Sequence, residues 1–212
     1  MLRLHDSQDS GNGYKVRLLL ALLGLTYERV EVDILNGDSR TPGFLAMNPN
    51  GRIPVLELGP DGPLAESNAI LWYLAEGTRF LPSHPLARAR TLQWMFFEQY
   101  SHEPNIAVVR HWICHLGLDD ARRAQLPARR AGGHAALAVM ETHLATAPWF
   151  GGGAMTVADI ALFAYTHVAG EGGFELAGYP GVTAWLERVA GQPGHCPMLP
   201  APTGTVSPPA GG

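Results

Sequence analysis

The residue pair Ile53-Pro54 constrains this chain more than any other. It stands inside the run NPNGRIPVLEL (Asn48 to Leu58), eight residues ahead of ESNAI (Glu66 to Ile70). Proline cannot donate to a sheet ladder, so it belongs at a strand's entrance, and X-Pro bonds alone take the cis form cheaply. Ile53-Pro54 is therefore a candidate cis turn leading into a strand from Val55. Such a turn leaves the main-chain groups of Ile53 unpaired and facing outward. An extended peptide could add there as one more short strand. The free N–H groups at a helix start, with Glu66 and Ser67, could then hold the peptide's charged end.

Composition narrows the classes. With 212 residues, 46% of them hydrophobic, the chain can bury a large core. Its net charge is −4 and it has no basic block able to neutralise successive phosphates, which argues against a nucleic-acid partner. Met1 to Asp6 carries no apolar leader, and the longest apolar stretch, around Leu18 to Leu25, is too short to span a bilayer. No membrane partner is expected, and a cytoplasmic location is the default. Cys114 and Cys196 stand far apart and suggest no disulfide framework.

Patterning divides the chain in two. Leu2 to His5 reads as a strand, and Val16, Leu19, Leu20 and Leu23 have helical spacing closed by Gly24. Tyr27 to Ile34 reads as a second strand, parallel to the first. Val55 to Leu58 and Leu64 to Ala65, joined by Gly59-Pro-Asp-Gly62, form a hairpin, and Ile70, Tyr73 and Leu74 mark a helix. The order is βαβ then ββα, a small mixed sheet with helices on it, over residues 1–78. A proline-bearing linker is expected over 79–87. Residues 88–195 show helical spacing at Leu92 to His115, Ala128 to Leu144, Val157 to Val168 and Val182 to Val189, an all-helical bundle. Thr156 and Asp159 have the spacing of a capping box ahead of a buried helix. Residues 196–212, rich in Pro, Gly and small polar residues, are read as an unordered tail. The fold class is α/β followed by all-α.

Together these segments resemble the cytosolic glutathione S-transferases of bacterial type. The resemblance rests on SGNGYKVRLLLALLGLTYE (Ser10 to Glu28), NPNGRIPVLEL, ESNAILWYLAE (Glu66 to Glu76), the helical second part and TVADIALF (Thr156 to Phe163). It implies a thioredoxin-like domain, a helical domain, a homodimer, and glutathione as co-substrate with no metal. It also implies roles. Ile53, ahead of Pro54, would pair its main chain with the cysteinyl unit. Glu66 and Ser67 would take the γ-glutamyl ammonium and carboxylate, and Arg52 the glycyl carboxylate. The second substrate, an apolar electrophile, would meet Tyr100, His102 and Arg110.

The chemistry such a site must do is thiol activation. A thiol with pKa near ~8.5 is mostly protonated at neutral pH, and lowering it by about two units is worth roughly 2.7 kcal/mol. A hydroxyl at a helix N-terminus can supply that. Ser10, Ser7 and Asn12 are the candidates. Ser10 occupies the position where the resemblance places a catalytic cysteine or serine, and Gly13 stands where relatives of the SGN type carry Cys or Ser. His111, Cys114 and His115 do not converge as a metal face and read as structural. The function expected is conjugation of glutathione to an electrophile. Glutathione-dependent disulfide reduction or isomerisation on the same fold, and a non-catalytic interaction module, are the alternatives.

Overall fold

A computed structural model describes residues 1–198. Four strands, β1 (Leu2–Asp6), β2 (Tyr27–Glu31), β3 (Val55–Glu57) and β4 (Pro63–Ala65), form one sheet in the order β2-β1-β3-β4. β1 and β2 run parallel from Leu2↔Tyr27 to Asp6↔Glu31. β3 is antiparallel to β1, with Leu4 opposite Leu56, and β4 is antiparallel to β3. The βαβ–ββα order read from the sequence is the observed one. Two details differ. β2 ends at Glu31, short of Ile34, because the Asp33 carboxylate accepts from the N–H groups of Leu35 and Asn36 and turns the chain. A short helix also intervenes before β3: it starts at Pro42 and is capped by Thr41.

The long helix after β1, α1 (Gly11–Leu22), is buried continuously from Gly13 to Leu20. Its sequence lacks a polar stripe because two layers cover it. Val16 and Leu20 face the sheet with Leu4, Leu56 and Ile70, whereas Tyr14, Leu18 and Leu19 join the main core of the helical half. In chain order, α2 (Pro42–Met47) is the short helix already noted, and α3 (Ser67–Ala75) follows β4.

The second half contains α4 (Pro85–Phe97), α5 (Glu103–His111), α6 (Asp120–Leu144), α7 (Val157–Thr166) and α8 (Pro180–Ala190). Five-residue π-helical turns, Glu98–His102 and Trp112–Leu116, follow α4 and α5. All ten residues of α7 are buried. Its start is the capping box expected from the sequence: Thr156 Oγ1 accepts from Ala158 N–H, and Asp159 Oδ2 accepts from Thr156 N–H at 2.8 Å. Asp159 Oδ1 also takes Phe150 N–H and Trp185 Nε1–H, each at 3.0 Å. Burial pushes its pKa up to about 6 against these bonds.

The segment between the halves is itself packed: Phe80 and Leu81 are buried, and Phe80 C=O accepts from Val157 N–H. At the other end, Met198 C=O accepts from Arg17 Nη1 at 2.6 Å and Gln8 Nε2 at 3.2 Å, and Tyr14 donates to Cys196 C=O at 2.7 Å. Residues 196–198 thus lie against α1. The remainder of the expected tail, 199–212, lies outside the described residues.

Candidate functional site

The Ile53-Pro54 bond is cis. The loop ahead of it is held by Asn48, whose Nδ2 donates to Arg52 C=O at 2.7 Å and whose Oδ1 accepts from Asn50 N–H at 3.1 Å. Gly51 turns this loop at φ 62° beside the Arg40 guanidinium, where an added Cβ would come within 2.5 Å of Nη1. Among the described residues nothing pairs with the main-chain N–H or C=O of Ile53.

Glu66 precedes α3 with φ 69° and ψ 112°, a backbone region that residues other than glycine rarely adopt. Ser67, buried, donates to Asn12 Oδ1 at 3.2 Å. Arg52, Ile53, Pro54, Glu66, Ser67 and Asn12 line one small polar hollow of about 80 Å³, closed from the helical half by Gln99 and Glu103. The five residues expected to grip the peptide therefore meet at one place.

Behind the hollow lies an ionic cluster. Lys15, fully buried on α1, donates to Glu98 Oε1 at 2.8 Å, Glu103 Oε2 at 3.2 Å and Ser67 Oγ at 3.4 Å. Asn12 Nδ2 donates to Glu103 Oε1 at 3.0 Å. The π turn makes this possible: Glu103 N–H bonds Glu98 C=O, five residues back, and brings both carboxylates to the same lysine. Burial would lower the Lys15 pKa, but the two carboxylates outweigh it and hold it above the ordinary value. Burial raises Glu98, whereas at Glu103 the attraction of Lys15 and the Asn12 bond overcome burial and lower it.

The hollow opens into a cleft of about 710 Å³ between the halves. Ser7, Ser10, Gly11 and Asn12 form its floor at the start of α1. Ala107, Val108, Arg110, His111, Trp112 and His115 form its helical wall. Ser10 is the N-cap: its Oγ accepts from Gly13 N–H at 3.1 Å, which leaves the hydroxyl proton free to donate into the cleft. The Ser7 hydroxyl is already spent on Asp9 Oδ1 at 3.0 Å. Both ends of the Asn12 amide are engaged, on Glu103 and Ser67. Of the three candidates, Ser10 alone keeps its donor unassigned among the described residues. Gly13 does not face the cleft. A Cβ there would meet Asp6 Oδ1 at 1.5 Å, so a cysteine or serine at this position would strike β1 rather than point into the cleft.

The second-substrate residues divide. Arg110 does line the cleft, tied down by Glu171 Oε2 at 2.6 Å and Asp9 C=O at 3.1 Å. Tyr100 and His102 do not. Tyr100 is 88% exposed on the outside of the π turn. His102 is sealed at 0% exposure. Its Nε2 faces Thr166 Oγ1 at 2.9 Å, and because that hydroxyl gives its own proton to Leu162 C=O, the histidine must donate from Nε2. Its Nδ1 has no partner among the described residues, and burial lowers its pKa to about 3. The wall is also less apolar than expected, because His111 and His115 stand in it with rings 5.3 Å apart. Burial and the neighbouring His115 lower the pKa of His111. Cys114 points instead to Glu171.

Sequence reasoning missed Lys15, Glu98 and Tyr165. Lys15 had a signal: a cation set, like Arg17 two residues on, among Tyr14, Val16 and Leu18 must find a buried partner.

Comparison with known proteins agrees with this fold. Residues 2–76 match the family model for the glutathione S-transferase N-terminal domain, and residues 123–188 that for the C-terminal domain. A crystal structure of a glutathione S-transferase from Pseudomonas fluorescens superposes with a TM-score of 0.91 at 54% identity, covering 93% of this chain and 98% of that one. The disulfide-bond oxidoreductase YfcG of Escherichia coli is 34% identical over 86% of this chain and 87% of its own length. A glutathione transferase of Burkholderia graminis, crystallised with two glutathione molecules per subunit, is 29% identical with a TM-score of 0.80, covering 91% of this chain and 85% of that one.

Proposed function

From the chain's membership of the glutathione S-transferase family, we propose that it binds glutathione, holds its sulfur as a thiolate, and directs it at an electrophile in the cleft. The γ-glutamyl end fits the small hollow. Its ammonium meets Glu66 and Glu103, and its carboxylate meets Ser67 at the start of α3. The cysteinyl unit pairs with the free main chain of Ile53, and the glycyl carboxylate with Arg52. These anchors put the sulfur at the opening turn of α1, where the Gly11 N–H and the Ser10 hydroxyl stabilise the anion. The enzyme thus contributes orientation and thiol acidity, with no covalent intermediate of its own.

One observation carries this reading: a capping serine whose proton is unspent, at the lip of a hollow shaped for a zwitterion. Ser10→Ala should lower kcat for an activated aryl halide by about 100-fold and raise the Kd for glutathione less than threefold. Equal losses in both would reject the role of Ser10. Absence of any calorimetric signal with millimolar glutathione would reject the reading whole and favour an interaction module.

A second reading is favoured by the width of the cleft, together with the named activity of the Escherichia coli relative and the paired ligands of the Burkholderia one. The same thiolate attacks a disulfide, whose S–S bond breaks and releases one substrate thiolate. A second glutathione thiolate then attacks the mixed disulfide at the glutathione sulfur, forming oxidised glutathione and releasing the other substrate thiolate. Turnover of a disulfide substrate above that of any aryl halide decides for it.

We also place a second copy of the chain on the apolar groove of about 640 Å³ between α3 and α4, where Tyr73 and Phe96 stand exposed beside Trp72 and Leu92.

A further inference from the structure

We propose that the Tyr165 hydroxyl, supplied by the helical half, is a second donor to the glutathione sulfur. This rests on the glutathione reading above. Tyr165 sits in the last turn of α7 and is nearly buried; it forms part of the cleft's wall. Its ring lies on the first residue of α1. A Cβ added to Gly11 would come within 2.4 Å of Cε1 and 2.5 Å of Cζ, so the phenol end of the ring occupies the space beside Ser10 that a side chain at 11 would take. The Asn12 main-chain N–H faces the phenol oxygen. The hydroxyl is thus placed at the helix start where the sulfur must arrive.

The proton of that hydroxyl has no acceptor among the described residues. Two other tyrosines differ: Tyr14 donates to Cys196 C=O at 2.7 Å, and Tyr179 faces His134. The hydroxyl oxygen is not among the sealed, unpartnered polar atoms, so its unspent proton is presented to the cleft, open to a ligand that enters. A phenylalanine would cover Gly11 equally well, so packing explains the ring and leaves the oxygen unexplained. The fully buried Lys15 ammonium lies 5.9 Å from the ring centroid and holds it from behind. Burial, with Glu103 and Glu98 near, pushes the phenol well above its ordinary pKa. It therefore remains a proton donor throughout the range in which a thiol ionises, and the bond it makes to the sulfur favours the thiolate.

The test compares wild type with Tyr165→Phe. Glutathione affinity is measured by calorimetry, and the pKa of the bound thiol by the ultraviolet absorbance of the thiolate across pH. The expected result is a Kd within threefold of wild type and a bound-thiol pKa about one unit higher, a tenfold loss of thiolate below the pKa. Binding by both proteins with an unchanged thiol pKa overturns the proposal and leaves the glutathione reading intact. A slower turnover with unchanged thiol pKa overturns it as well, since the hydroxyl would then serve the electrophile. Failure of wild type to bind glutathione removes the parent reading and this one with it. If Tyr165→Phe does not fold, fluorotyrosine placed at 165 gives a stronger donor and should lower the bound-thiol pKa; no shift overturns the proposal.

Discussion

The small hollow and the wide cleft share Asn12, Arg52, Ile53 and Glu103, yet they are built by different means. The hollow draws most of its wall from two short segments, 48–54 and 66–67, and has an ionic cluster braced behind it. The cleft is assembled from the first loop, the end of β2, α5 and α7, which lie far apart in sequence. A pocket made by neighbours in sequence is fixed in shape by local turns. One made by distant elements can change its lining without disturbing them. Such an arrangement suits one fixed ligand beside one variable ligand.

Variants at each place can break or sharpen this contrast. The largest effect is expected at Lys15. Its replacement by Met leaves Glu98 and Glu103 buried without their cation, and unfolding by denaturant should show a loss of about 3–5 kcal/mol. A loss below about 1 kcal/mol would mean that the hollow does not depend on its bracing. Next, Ser67→Ala should weaken glutathione by about tenfold or more, as expected for a lost bond to a charged group, with the electrophile's KM unmoved. Trp112→Ala should do the reverse, raising the electrophile's KM several-fold with glutathione affinity held. If both variants shift both ligands together, the two pockets are one.

The smallest effect concerns His102, behind the wall. Its pKa falls from 6.5 to about 3 on folding, so the unfolded chain binds the extra proton and stability declines as pH drops below 6.5. From pH 6.5 to 5.5 the loss assigned to this group is about 1 kcal/mol. Denaturant curves at the two pH values should show that decrement in wild type and lack it in His102→Asn. An equal decrement in both would place the proton elsewhere.

How far the sequence could be read follows the same division. Ile53, Pro54, Glu66 and Ser67 were legible because a proline at a strand entrance and a polar pair at a helix start have local causes. The capping box at Thr156 and Asp159 was legible for the same reason. Tyr100 and His102 were set on the second-substrate wall by family resemblance alone, and the π turn Glu98–His102, whose i→i+5 bond rotates side chains about the axis, leaves one exposed and the other sealed. The partnership of Lys15 with Glu98 and Glu103 spans more than eighty residues, and no spacing rule reaches so far. Tyr165 looked like one more apolar position of a buried helix, since its distinguishing atom is a hydroxyl whose surroundings come from α1. The short α2 escaped notice because six residues carry too little periodicity to register.

Arg17 links the two termini of the described chain. Its guanidinium holds Met198 C=O with one nitrogen and Gln8 C=O with another, so the backbone just upstream of Ser10 is moored to a segment 181 residues along the chain from Arg17. Trimming back to residue 194, or fusing a bulky tag directly after 198, would loosen that mooring and slacken the loop bearing Ser7 and Ser10. The choice of where an expressed product stops is therefore a choice about how firmly the Ser10 cap is held.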